Sequence, residues 1–158
     1  MKKLFLILIG LFLITNFIFA GEEKKIDKDA YFAQVESFLG DVLIRKSDSK
    51  DWVAVVKDMQ LNEGDVIKTG VGATAQIKII SAGAVSVMKV KEKAEVKISL
   101  LYFDKRSQKV RTELDLAIGE VLIKAKRPLK PSSFEVKTPT SIVGVRGTVF
   151  SVNVIEII

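Results

Sequence analysis

Residues 70–79, Gly-Val-Gly-Ala-Thr-Ala-Gln-Ile-Lys-Ile, set the reading of the whole chain. Gly70–Gly72 is a turn, and from Ala75 onward Ala75, Ile77 and Ile79 alternate with Gln76 and Lys78. Successive strand side chains point to opposite faces, so this period of two gives one apolar and one polar face. The same device, a turn followed by a short apolar run, recurs on both sides. Upstream, Val35–Arg45 reads as strand in two pieces hinged at Gly40–Asp41, followed by the polar turn Lys46–Lys50. Trp52–Val56 is a further strand, Gln60–Gly64 a turn, and Asp65–Thr69 the next strand. Downstream, Ser81–Gly83 turns into Ala84–Val90, and Val96, Ile98 and Leu100 alternate with Lys97, Ser99 and Leu101. Asp104–Lys109 is a polar hairpin turn before Val110–Leu116, and Gly119–Ala125 is another strand. A loop with Pro128 and Pro131 leads to Phe134–Thr138, Ile142–Val145 and Thr148–Val154.

Ten or so short strands at this spacing, rich in β-branched residues, predict an all-β fold, either roll- or solenoid-like or a sandwich. Only Asp27–Glu36 would tolerate a short helix, through Ala30, Ala33 and Gln34. The strings GDVLI at 40–44, GDVI at 64–67 and GEVLI at 119–123 echo one another at uneven spacing. Each reads as a turn in which glycine supplies a left-handed or bulged backbone and the acid bonds nearby amides. A calcium loop would need more oxygen ligands close to Asp41, Asp65 or Glu120 than the sequence places there.

The N-terminus carries an address. Lys2 and Lys3 precede an apolar run, Leu4–Phe19, which ends at Ala20 before the charged stretch Glu22–Lys28. The run is short beside the roughly 20 apolar residues of a spanning helix, and the layout is that of a secretory signal peptide. The expected organisation is a signal peptide at 1–20, a flexible or partly helical leader at 21–34 and one β domain at 35–158. Cleavage after Ala20 releases the protein to the periplasm or beyond; retention makes residues 1–20 an inner-membrane anchor, the only route to a membrane partner. Cleavage lowers the net charge from +6 to +4, because Lys2 and Lys3 leave and no acid does. Lysines and glutamates are interspersed, unlike the concentrated cationic stripe of a nucleic-acid binder.

The chain has no cysteine and no histidine. Disulfides therefore contribute nothing, and the commonest metal ligand and neutral-pH general base are missing. Asp104, Glu113 and Asp115, the nearest approach to a carboxylate pair, lie beside Lys105, Arg106 and Arg111 and read as cross-strand ion pairs. No catalytic, cofactor or metal site is expected. Trp52, the single tryptophan, is a candidate platform for a sugar ring or a half-buried edge residue.

The stretch 134–152, FEVKTPTSIVGVRGTVFSV, resembles the FecR domain family through Thr138, Pro139, Val145, Arg146, Gly147, Thr148 and Phe150. Upstream, Gly40–Ile44, Trp52, Leu61, Gly64–Asp65, Lys68–Gly70, Ala75–Ile79 and Gly119–Ile123 fit the same pattern, so the resemblance spans about 35–154. It implies an all-β envelope domain and leaves activity open. Iron-dicitrate regulators of the family carry a cytoplasmic domain ahead of their membrane segment. Only Met1–Lys3 precede the apolar run here, so that sigma-factor role is not expected.

Arg146, between Gly144 and Gly147, reads as a structural arginine fixing a turn or as an anion contact. Thr138–Pro139 ends a strand, because proline fixes its own φ and biases its predecessor to extended backbone. The leading functional expectation is a non-catalytic binding or scaffold module of the envelope. It acts on an envelope protein or on itself through an edge strand in the apolar tail Val152–Ile158. The alternative is a sensor of a small ligand or cell-wall polysaccharide using Arg146, Trp52 and surface lysines.

Overall fold

A computed structural model describes residues 31–81, 84–125, 133–145 and 149–155. The expected signal segment, most of the leader and the proline-bearing loop lie outside the described residues. Within them the fold is all β: β1 (Tyr31–Leu39), β2 (Val42–Arg45), β3 (Trp52–Ala54), β4 (Gln60–Leu61), β5 (Val66–Thr69), β6 (Thr74–Ser81), β7 (Ala84–Val90), β8 (Glu95–Asp104), β9 (Lys109–Lys124), β10 (Ser133–Lys137), β11 (Ile142–Val145) and β12 (Val149–Val154). They form one curled sheet in the order β3-β2-β5-β8-β9-β7-β6-β1-β4, with β10, β11 and β12 added beside β9.

The curl comes from β9, which serves two wings. Its first part pairs with β8 on one side and β10 on the other, and β9–β10 is the parallel pairing of the described sheet. Its last part pairs with β7 and β12, both antiparallel. Between the parts sits Gly119 at φ +88°, where a Cβ would lie 2.4 Å from the Ala94 Cα and 2.8 Å from the Lys93 carbonyl. Only a residue without a Cβ can make this bend at this distance from the next turn. The contact is held from behind. The Thr69 hydroxyl donates to the Lys91 carbonyl (2.6 Å) and accepts from the Ala94 N–H (3.0 Å).

The wings enclose the core. Ala33, Val35, Ala75, Ile77, Met88, Val90, Val121 and Ile123 face Ile44, Ile67, Val96, Ile98, Leu114 and Leu116, all buried. Each such large aliphatic side chain stabilises the fold by about 2 kcal/mol relative to exposure. The alternation of Ala75, Ile77 and Ile79 is therefore the core face of β6. The wings meet again at Gly40, φ +75°, where β1 passes into β2. Across the core the Tyr31 hydroxyl bonds the Arg111 carbonyl at 2.9 Å and the Thr112 hydroxyl, and burial pushes its phenol above the ordinary range.

Three local expectations are corrected. Residues 31–34, assigned to a flexible or partly helical leader, belong to β1, which pairs with β6 from Tyr31↔Ser81 onward. Ala33 and Gln34 tolerate helix, but sheet pairing and burial of Ala33 override so weak a preference. Gln60–Leu61, read within a turn, pairs with β1 and buries Leu61. Val110–Leu116 and Gly119–Ala125, read as two strands, are one strand through the bend. The Gly40, Gly64 and Gly119 echo does mark positive φ at all three positions.

Gly119→Ala should cost at least about 3 kcal/mol, combining a left-handed backbone penalty with steric overlap against fixed backbone. Gly72→Ala shares the positive φ (+68°) but has nothing within 4 Å, so it should cost only about 1 kcal/mol. Urea unfolding of the two variants checks the contrast; equal losses would mean that the Ala94 contact contributes nothing.

Candidate functional site

On the side of β9 away from β8 and β7 the ladder has a gap. β10 ends with Lys137 opposite Asp115, and β12 ends with Val154 opposite Gly119. Leu116, Ala117 and Ile118 have neither strand beside them there. A groove of about 760 Å³ opens at this place, floored by Ala117 and Ile118 and walled by Thr138–Ser141, Val143 and residues 151–155. Its two rims are strands with one partner each among the described residues, β11 on β10 and β12 on β9.

The rim turn is built by Thr138. Its N–H donates to the Ser141 carbonyl (2.8 Å), and its Oγ1 accepts from the Ser141 N–H (3.0 Å). Pro139 stands exposed at the tip and Lys137 is the last strand residue, so the Thr-Pro pair lies where β10 stops. Phe150 reaches back to Phe134, ring centroids 6.5 Å apart and nearly perpendicular, an edge-to-face contact between β12 and β10. Val145 pairs with Phe134 in the β10–β11 ladder. Arg146, Gly147 and Thr148 lie outside the described residues. The structure thus brings Thr138, Pro139 and β12 to one groove and leaves Trp52 elsewhere.

Trp52 stands on β3 with the Arg45 guanidinium 4.8 Å and the Lys68 ammonium 5.6 Å from its ring centroid. These cation–π contacts engage the ring that a sugar platform would have to present. Asp65 is almost fully buried and its carboxylate is used locally. It accepts from Lys46 Nζ (2.7 Å), the Ser47 N–H (2.9 Å) and the Asn62 N–H (3.0 Å). Glu120 accepts from the Ser151 hydroxyl. Among the described residues no group of three or more acidic side chains is placed to hold a metal ion.

The carboxylates considered for catalysis are separated by their bonds. Asp104 accepts from the Ser107 hydroxyl and the Arg106 N–H, which hold its carboxyl below the usual range. Glu113 accepts from Lys137 Nζ (2.7 Å) and from Arg111 (2.8 Å), and the Lys137 hydrogen bond holds it below the ordinary value. The Lys137 contact escaped the sequence reading because it depends on the parallel register of β10 against β9. The groove escaped it for the same reason, since it lies between strand ends opposite Asp115 and Gly119, with three residues of β9 between them.

The geometry defines a curled all-β domain with an open seam beside its central strand. The family model described as FecR protein matches residues 65–156, more than half of the chain. The chain belongs to the FecR family, a non-catalytic regulatory and sensor family typically associated with the envelope. The match includes the Thr138–Phe150 motif and both groove rims, whereas Trp52 lies outside it. No curated protein and no solved structure matches.

Glu113 gives a pH signature. Its folded pKa is depressed, so its stabilising contribution is complete above the unfolded carboxyl value of 4.5 and is lost as pH falls through the lower folded value. Tm should therefore fall as pH drops below about 4.5, and Glu113→Gln should lose less of it. Parallel Tm curves for the two proteins would exclude the Lys137–Glu113–Arg111 cluster as a contributor.

Proposed function

We propose that this protein is an exported, non-catalytic binding module of the cell envelope that works through protein–protein contacts at the β11–β12 rim of the groove. One observation carries the reading: two neighbouring strands have an unpaired side among the described residues, and apolar side chains stand exposed along them. Ile142 is 67% exposed, Val149 60% and Ile155 73%. Unpaired strand edges present a row of N–H and C=O groups that an added strand satisfies, and the side chains beside them set the preference. The address Lys2–Ala20 supports export. No helix among the described residues is long and apolar enough to cross a membrane.

A sensor of a small ligand or cell-wall polysaccharide is the second reading, favoured by the groove's volume of about 760 Å³, within the range of ordinary ligand sites. Binding of peptidoglycan fragments or ferric chelates, followed by calorimetry, tests it.

A photo-crosslinking residue at Ile142 or Ile155 of the full chain, in intact cells, should capture a protein. The same residue at Val56, exposed but remote from the rim, should capture none. Equal capture at all three positions, or none at the rim, contradicts a contact surface there.

A further inference from the structure

Four strands have a single partner among the described residues: β3, β4, β11 and β12. β3 has three residues, β4 two and β11 four, whereas β12 has six, all paired with β9 on the other side. Natural sheets protect such edges by shortness, proline, bulges or charge. Val149–Ile155, Val-Phe-Ser-Val-Asn-Val-Ile, has no ionisable residue and no proline in a chain of net charge +6, and its ladder with β9 has no register shift. The groove adds open space between the 151–155 rim and the 138–141 turn.

We propose that β12 pairs antiparallel with β12 of a second copy, about a twofold axis at Val152. This rests on the protein-contact reading and names the partner. The register with β9 places Val149, Ser151 and Asn153 on the outer face, opposite Lys124, Leu122 and Glu120, and Phe150, Val152 and Val154 on the inner face. For faces to match across a twofold axis, paired positions must be both odd or both even in number. Centring on Val152 meets this condition. Phe150 then faces Val154 of the copy on the inner side, and Ser151 faces Asn153 on the outer side. Exposed Val149, the first residue of β12, then faces exposed Ile155, one residue beyond its end. Charge agrees with the choice: two net-positive chains meet here without bringing like-charged side chains together, whereas like charges directly opposite would be destabilising.

The chain lacks cysteine, so an introduced thiol can pair only with one on another copy. Full-length Ser151→Cys and Asn153→Cys proteins, each tagged differently, are oxidised separately and mixed. Both positions are exposed, so the variants should keep the wild-type far-UV spectrum. Directly opposed residues lie about 5 Å apart at Cβ and diagonal ones about 7 Å, so the mixed disulfide should exceed either homodisulfide by about tenfold. Equal yields, a dominant Ser151→Cys homodisulfide or no crosslink from folded protein overturns the pairing. If the mixture fails while Ile142 or Ile155 still captures another protein, the second-copy inference falls and the contact reading stands. If both fail, both fall.

Discussion

The close approach of Gly119 to Ala94 is the constraint on which the remaining structure depends. It lets one strand change direction without breaking, so β9 can be the shared member of two wings. Both wings then pack their apolar faces on a single core, and Phe134 and Phe150, attached to different parts of β9, come into contact. The turn that supplies Ala94 is itself pinned by the Thr69 hydroxyl and by the Lys91 N–H donating to the Glu120 carbonyl. A steric condition at one glycine is thus converted into the path of the sheet.

The same bend produces the groove. A strand that turns sharply cannot keep one neighbour along its whole length, so β10 follows it up to Asp115 and β12 follows it from Gly119. The gap between them exposes Ala117 and Ile118 and leaves β11 and β12 as rims. Two polar side chains hold turns, Asp65 with Lys46, Ser47 and Asn62, and Thr138 with Ser141. The rims leave strand edges unpaired among the described residues. This is the physical basis for reading this member of the FecR family as a binding module.

Much of the fold was legible because its signals are local. The alternation of Ala75, Ile77 and Ile79 names a core face, and the glycines at 40, 64 and 119 mark left-handed backbone. The span of β9 was not legible, since a glycine after a short apolar run reads equally as the end of one strand and as a bend within it. Tyr31 was missed as a strand residue because its reason to be ordered lies eighty positions away, at Arg111 and Thr112. Of the site, Thr138–Pro139 was visible as a strand end. Its place on a groove rim was not, because the groove exists only through the register of β10 and β12 on β9.

Amide hydrogen exchange along β9 tests the account most directly. A single bent strand that holds both wings should lose protection in Lys109–Ile118 and Gly119–Lys124 together, at the slowest rate in the molecule. Early exchange of Gly119–Lys124 while Lys109–Ile118 stays protected would show two wings that open separately, and would contradict a fold governed by the bend at Gly119.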